Sequence, residues 1–153
     1  LRLKSMPAEQ LMWARNTLTQ RVIGPDCITT VELSVKGLKD GDVAGLGNIN
    51  VPCSWIGIVS GVQEFRSSGV QTNASGANNS STRKLVNSST KTKTYTLRCF
   101  EQLTTDTVDV QVELPLGKIW LRSIGEYDKD QAQYAYSTDG ETFQTIGPMM
   151  PLS

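Results

Sequence analysis

The chain has 153 residues, equal numbers of basic and acidic residues at 15 each, and no histidine. A neutral chain offers no clustered basic surface for nucleic acid. Without histidine, the Ser-His-Asp and Cys-His mechanisms and most zinc sites are excluded. The three cysteines, Cys27, Cys53 and Cys99, allow at most one internal disulfide and lack metal-ligand spacing. The length suits one domain with a single core, and no apolar run approaches a membrane span. Together, these features predict no metal, cofactor, nucleic-acid partner or membrane segment.

The first 25 residues combine alternating segments with one short helical pattern. Alternation of apolar and polar residues predicts strands at 1–6 and 16–23, and the stretch PAEQLMWAR predicts about two helical turns with Pro7 at their start. The polar residues around the second strand share one face, opposite Leu18 and Val22. That polar face consists of Arg15, Thr17, Thr19 and Arg21, with Trp13 at its entry. Because the chain starts inside a strand-like pattern without a Met, we expect it to be a piece of a longer protein.

Two glycines in the stretch AGLGNIN, at 44–50, resemble part of a nucleotide-binding loop. The third glycine of that fingerprint is replaced by Asn50, and Pro52 with the β-branched residues after it prevents a helix from starting there. We therefore expect a strand whose face lacks side chains at Gly45 and Gly47. A neighbouring backbone, an aromatic ring or a ligand can then come close to that face. A bend that lets the sheet curve is the alternative.

Alternation with a period of two recurs along the remainder of the chain. The segments TVELSVK at 30–36 and VDVQVEL at 108–114 alternate strictly, which is typical of half-buried strands. The other strand candidates are 43–49, 54–60, 93–100, 118–126, 131–137 and 142–146. Residues that favour turns separate the strands at 24–26, at 39–42 (a hairpin-type turn), at 105–106 and at 138–140. The pattern predicts an all-β antiparallel sandwich.

The segment 67–92 differs from the rest, because it is rich in Ser, Thr, Asn, Gly and Lys and too poor in apolar residues to build a core. We expect a long polar loop here. It holds Asn-x-Ser tripeptides at Asn73, Asn78, Asn79 and Asn87. Their concentration predicts glycosylation and hence a secreted protein, although such tripeptides also arise incidentally in Ser-rich loops.

Three blocks of the sequence carry a resemblance to a known family. They are 14–25 with RNTLTQR, 37–58 with KDGDVAGL, and 116–150 with YSTDGETFQTIG. In this order they resemble the concanavalin A-like β-sandwich that follows the catalytic propeller in glycoside hydrolase family 43, which includes β-xylosidases and α-L-arabinofuranosidases. The same module is also grouped as the xylan-binding carbohydrate-binding family 91.

The resemblance implies a jelly-roll type fold and an accessory role in a secreted xylan-degrading enzyme. The family's catalytic carboxylates lie in the propeller, so this chain is not expected to be catalytic alone. The implied partners are xylan or arabinoxylan and the propeller. The family domain normally has a strand before the segment matching LRLKS and further strands after the one matching ETFQTIG. We therefore expect a sandwich incomplete at both ends, with unpaired edges near 1–6 and 142–146.

Carbohydrate binding requires flat aromatic faces together with hydrogen-bonding side chains. Alternation places Trp120 with Arg122 on one face of a strand, and Tyr134 with Tyr136 on one face of the next. The candidates for binding xylan or contacting the propeller are Trp13, Arg15, Asn16, Thr17, Gln20, Arg21, Trp55, Trp120, Arg122 and Tyr134. Trp55 and Trp120 have the alternative of a core position, as strand aromatics often do.

Three other functions stay open: a free-standing lectin-like module, a structural docking domain and a small sandwich glycanase. The glycanase would use Glu126, Asp128 and Asp130, which point the same way in an extended strand. Two carboxyls about 5–5.5 Å apart suit a retaining mechanism. The acidic stretch lacks the third carboxylate of such enzymes and is also typical of a solvated turn.

Overall fold

The computed structural model describes residues 1–4, 6–9, 11–65, 90–102 and 105–152, except the side chains of 12, 62–65 and 90–92. The described residues form eight strands in two four-stranded sheets. The strands are β1 (Asp26–Ser34), β2 (Val43–Asn48), β3 (Ser54–Phe65), β4 (Thr90–Glu101), β5 (Thr107–Gln111), β6 (Lys118–Glu126), β7 (Gln131–Ser137) and β8 (Gln144–Pro151). Sheet 1 has the order β1-β6-β7-β8 and sheet 2 the order β2-β3-β4-β5. All neighbours are antiparallel, which confirms the predicted all-β sandwich.

The core lies between the two sheets and follows from the alternation of the strands. In β6, Ile119 and Leu121 are fully buried, whereas Trp120 and Arg122 are half-buried on the opposite, outer side. Each fully buried Ile or Leu stabilises the fold by about 1.5–3 kcal/mol. The buried cluster consists of Val35, Ile56, Ile58, Leu97, Cys99, Ile119, Leu121, Tyr134, Ile146 and Met150. Its members come from both sheets, so one core holds the sandwich together.

Tyr134 links the two sheets by hydrogen bonds inside the core. Its hydroxyl donates to the carbonyl of Ser54 at 2.8 Å and accepts from the backbone N–H and the side-chain amide of Asn48 at 3.2 and 2.9 Å. The Asn48 amide also donates to Ser123 Oγ at 3.1 Å. Burial raises the pKa of Tyr134 to about 12. These contacts join β7 and β6 of sheet 1 to β2 and β3 of sheet 2, and they satisfy polar groups that would be costly to bury alone.

The first 25 residues depart from the sequence prediction. Of their described members, none lies in a strand, so the strands predicted at 1–6 and 16–23 are wrong. A strand needs a hydrogen-bonded neighbour, which alternation alone does not supply. Leu18 and Val22 are correspondingly 71% and 48% exposed. Instead of the predicted two-turn helix, the structure has a 3₁₀ turn at Leu11–Trp13. No helix among the described residues is long and apolar enough to cross a membrane.

Two connections also differ from expectation, and the two predicted edges have different outcomes. The turn at 39–42 is not a hairpin, because it joins β1 of sheet 1 to β2 of sheet 2. β4 begins at Thr90, inside the segment predicted as a loop, and residues 67–89 with all four sequons lie outside the described residues. The expected unpaired edge near 142–146 corresponds to β8, which pairs with β7 alone among the described strands. The expected edge at 1–6 has no strand.

Candidate functional site

The outer side of sheet 2 carries several glycines next to aromatic and polar side chains. The pairing register places one set of residues from all four strands on this side. We call this set the glycine face, and it consists of Val43, Gly45, Gly47, Trp55, Gly57, Val59, Gly61, Thr94, Thr96, Arg98, Phe100, Thr107, Asp109 and Gln111. It contains Trp55, one of the candidates predicted from sequence.

The glycines of β2 and β3 allow two backbones to approach closely. Gly45 is paired with Gly57, and a Cβ atom at Gly45 would lie 2.2 Å from the carbonyl oxygen of Ile56 and 2.6 Å from the Cα of Gly57. A Cβ atom at Gly47 would lie 2.8 Å from the carbonyl oxygen of Ser54. Contacts this short are not tolerated, so any side chain at Gly45 would push the strands apart. The predicted close approach of a neighbouring backbone is confirmed.

Trp55 lies over the same glycines on the outer surface. A Cβ atom at Gly57 would be 3.2 Å from the Cζ3 atom of the Trp55 indole, so the ring covers that glycine. The ring also packs beside Phe100, with 5.9 Å between the centroids and 34° between the planes. Trp55 is half-buried on the outer side of sheet 2, and the alternative of a core position is therefore wrong. The two rings form one aromatic surface on the glycine face.

Polar side chains border this aromatic pair. The Arg98 guanidinium donates from Nε and Nη2 to the two carboxylate oxygens of Asp109 at 2.8 and 2.7 Å, across the β4–β5 pair. The hydrogen bond between them raises the pKa of Arg98 and lowers that of Asp109. Beside them the Gln111 amide donates to Thr96 Oγ1 at 2.8 Å. The glycine face therefore combines rings, amide and hydroxyl groups with one internally compensated ion pair.

The outer face of sheet 1 also carries a tryptophan and an arginine, but the chain itself covers them. Arg122 donates from Nε to Thr30 Oγ1 at 2.9 Å, and its Cζ atom lies 3.4 Å from the centroid of the Phe143 ring. Trp120 packs on Gly140, where a Cβ atom would be 2.9 Å from Cε2 of the indole. Trp120 and Arg122 share the outer face, as predicted, and Trp120 is half-buried there rather than in the core.

An ordered turn holds Gly140 and Phe143 in place. One carboxylate oxygen of Asp139 accepts from Ser137 Oγ at 2.6 Å and from the backbone N–H groups of Glu141 and Thr142 at 2.8 and 2.9 Å. These donors lower the pKa of Asp139 to about 2, with the Ser137 hydroxyl as the largest cause. Gly140 has a φ of +85°, which favours glycine. The motif STDGETF therefore builds a turn that packs against Trp120 and Arg122.

The remaining binding candidates from the sequence lie either in the core or outside the strands. Tyr134 is fully buried and points away from Trp120, so its assignment as a surface candidate is wrong. Alternation fixes which side chains share a face but not which face is inside. The N-terminal candidates lie outside any strand, so strand alternation no longer assigns them to one polar face. They are Trp13, Arg15, Asn16, Thr17, Gln20 and Arg21, of which Trp13 is 64% exposed.

The acidic stretch after β6 is a turn. Residues Tyr127–Lys129 form a 3₁₀ turn, and Asp130 follows with a φ of 51°. Glu126 accepts from Lys129 Nζ at 2.8 Å and from the Gln131 amide at 2.7 Å. The hydrogen bond from Lys129 is the largest cause that lowers the pKa of Glu126. A general acid needs the opposite shift, and the alternative of a solvated turn is confirmed.

The cysteines show no sign of activation as nucleophiles. Cys27, Cys53 and Cys99 are unpaired. Burial raises the pKa of Cys99 to about 12 and also raises that of Cys53, which disfavours their nucleophilic thiolate forms. Within the described ranges no three His, Cys, Asp or Glu side chains are grouped to hold a metal ion.

Comparison with known proteins identifies the family. The sequence profile of the β-xylosidase C-terminal concanavalin A-like domain matches residues 1–153. The chain belongs to this family. A solved structure described as a bifunctional GH43-CE from Bacteroides eggerthii is similar, with a TM-score of 0.66 and 20% identity over 97% of this chain. At that identity the likeness shows the shared fold, and this chain spans 16% of the length of that one. No curated protein matches the chain.

Sequence reasoning missed several residues of the glycine face. The alternation in TYTLRCF already places Arg98 and Phe100 on one side of a strand, and that in VDVQVEL does the same for Asp109 and Gln111. These signals were available within each strand. The pairing of Arg98 with Asp109 was not available, because it depends on the register between β4 and β5.

Proposed function

We propose that this C-terminal concanavalin A-like domain is a non-catalytic part of a secreted family 43 glycoside hydrolase and that it binds xylan or arabinoxylan on its glycine face. The observation that carries the proposal is the half-buried Trp55 ring on the outer side of sheet 2, which lies over Gly57 beside Phe100. Family membership supports the connection to a β-xylosidase. Glycosylation at Asn73, Asn78, Asn79 and Asn87 is part of the same proposal, because it accompanies secretion.

The chemistry of the glycine face matches a neutral polysaccharide. Sugar rings present C–H surfaces that pack on flat aromatic faces, and their hydroxyl groups both donate and accept hydrogen bonds. Trp55 and Phe100 provide the aromatic surface, while Gln111, Arg98 and Asp109 provide donors and acceptors. On the outer face of sheet 1 the corresponding tryptophan and arginine are engaged by the chain's own turn. The glycine face is therefore the better candidate of the two.

Retention on polysaccharide tests the proposal. The purified chain should be retarded by arabinoxylan in affinity electrophoresis, and Trp55→Ala should weaken the retention about tenfold, since stacking of one aromatic side chain contributes on the order of 1 kcal/mol or more. Trp13→Ala is the matched control, because it removes an equally large and more exposed indole outside the glycine face. Circular dichroism should show that both variants are folded, and no variant should release sugar from xylan.

Two results would contradict this assignment. Equal retention of Trp55→Ala and the unchanged chain, with a loss for Trp13→Ala, would move the site to the N-terminal segment. Absence of retention, restored only when the catalytic domain is present, would favour packing on that domain. Packing on the catalytic domain has its own support, because several large apolar residues of the N-terminal segment are exposed. They include Trp13 at 64%, Leu18 at 71% and Ile23 at 78%.

A further inference from the structure

Arg98 lies on β4, inside the glycine face, and Asp109 lies beside it on β5, the last strand of the sheet. Arg98 is paired with Gly57 on one side and with Asp109 on the other, so it adjoins the glycine that the Trp55 ring covers. Their side chains are 38% and 40% exposed, which leaves both accessible to a ligand on the face. A ligand that stacks on Trp55 and Phe100 would therefore extend over this ion pair.

The ion pair determines the charge of the face. Of the described side chains on the glycine face, Arg98 and Asp109 are the charged ones, so the face has no net charge. An arginine alone on such a face would bind carboxylates through two parallel hydrogen bonds. Here Asp109 already occupies Nε and Nη2, and its own negative charge repels a second carboxylate.

The same pair can still bind hydroxyl groups. Arg98 has five N–H donors, of which two bond Asp109, and each carboxylate oxygen has a further lone pair. Donors and acceptors at a fixed separation suit the hydroxyl groups of a sugar, which need both. A uronic acid substituent would place its carboxylate beside Asp109 without a free arginine to compensate it.

We propose that Asp109 is a specificity-determining residue, which makes the glycine face select neutral segments of the polysaccharide over segments that carry uronic acids. This inference rests on the proposed function, because it requires that a polysaccharide binds to the glycine face. Its ligand class is a chain of uncharged pentose residues with exposed hydroxyl groups.

Replacement of the carboxylate by an amide tests the inference. Asp109→Asn keeps the size of the side chain and one acceptor but frees the charge of Arg98. The retention of this variant on glucuronoxylan should rise about fivefold relative to its retention on neutral arabinoxylan, the size expected for a partly exposed ion pair. The gain should disappear at high salt, because exposed charges are screened. The double variant Asp109→Asn with Arg98→Gln should show no gain.

Glu32→Gln provides a matched control on the other face of the molecule. Glu32 forms an ion pair with Lys118 across β1 and β6, and these side chains are 45% and 44% exposed. The control changes the net charge of the chain by the same amount as Asp109→Asn. An equal gain on glucuronoxylan from Glu32→Gln would attribute the effect to total charge and overturn the inference.

The outcomes separate this inference from the proposed function. Unchanged selectivity in Asp109→Asn, with retention on arabinoxylan still lost in Trp55→Ala, would overturn the role of Asp109 and leave the binding face intact. A preference of the unchanged chain for glucuronoxylan would also overturn the inference. Absence of retention on either polysaccharide would overturn the binding function itself, and the inference with it.

Discussion

The outer faces of the two sheets use the same residue types for different purposes. Sheet 1 displays Trp120 and Arg122, and sheet 2 displays Trp55 and Arg98. On sheet 1 the turn after β7 covers the indole and stacks Phe143 on the guanidinium. On sheet 2 the indole lies on a glycine of its own strand, and the guanidinium pairs with a neighbouring strand. The two faces therefore differ in what engages the tryptophan and the arginine, which is a separate turn on sheet 1 and residues of the same sheet on sheet 2.

The largest expected effect comes from a substitution where β2 and β3 approach closely on the glycine face. On the glycine face, Gly45→Ala would place a Cβ atom 2.2 Å from the carbonyl oxygen of Ile56, which is backbone and cannot rotate away. We expect the variant to lose about 3 kcal/mol of unfolding free energy, at the upper end for overpacking, as measured by urea denaturation. Gly37→Ala is the control, because nothing lies within 4 Å of its Cβ position. Equal stability of the two variants would show that β2 does not approach β3 as described.

How much of this arrangement was predictable depends on whether the signal is local. Alternation within single strands predicted all eight strands and placed Trp120 with Arg122 on a face opposite Ile119 and Leu121. The close backbone approach at Gly45 was one of the predicted outcomes, because a face without side chains lets a neighbouring backbone, an aromatic ring or a ligand come close. Such features depend on a few adjacent residues.

Features that depend on distant partners were not predictable from the sequence. The pattern at 16–23 favours a strand, yet among the described residues no strand pairs with this segment and it is irregular. Tyr134 fits the alternation of its strand, but its side chain points inward. Its hydroxyl forms hydrogen bonds with Ser54 and Asn48 of the other sheet, which the sequence could not show. The covering of Trp120 likewise requires the turn at 138–142 to fold back over β6.

The second test concerns the covered tryptophan of sheet 1. Trp120→Ala removes the ring that packs on Gly140, and we expect a loss of about 2 kcal/mol, less than the ~3–5 kcal/mol for a fully buried aromatic. Trp13→Ala, on a side chain that is 64% exposed, should change the unfolding free energy by less than about 0.5 kcal/mol. Retention of Trp120→Ala on arabinoxylan should match that of the unchanged chain below its unfolding temperature. A loss of retention in a folded variant would contradict the division of roles between the two faces.

The smallest expected effect concerns the turn that covers sheet 1. The pKa of Asp139 is lowered from 3.8 to about 2, first by the hydrogen bond from Ser137 and then by backbone N–H groups. Because the folded-state pKa lies below the unfolded value, the carboxylate stabilises the fold fully above about pH 4. That contribution is lost as the pH falls through about 2. Asp139→Asn should therefore melt about 2 °C below the unchanged chain at neutral pH, and the two melting temperatures should converge towards pH 2.

Asp40→Asn serves as the control for this last comparison, since it removes an exposed carboxylate from the turn between β1 and β2. It should not reproduce the convergence at low pH if the effect belongs to the hydrogen bonds of Asp139. Retention on arabinoxylan should be the same for both variants, because the turn belongs to the covered face. A pH-independent difference between Asp139→Asn and the unchanged chain would mean that the amide disturbs the turn by its shape. In that case the charge of Asp139 would not be what holds Gly140 and Phe143 against Trp120 and Arg122.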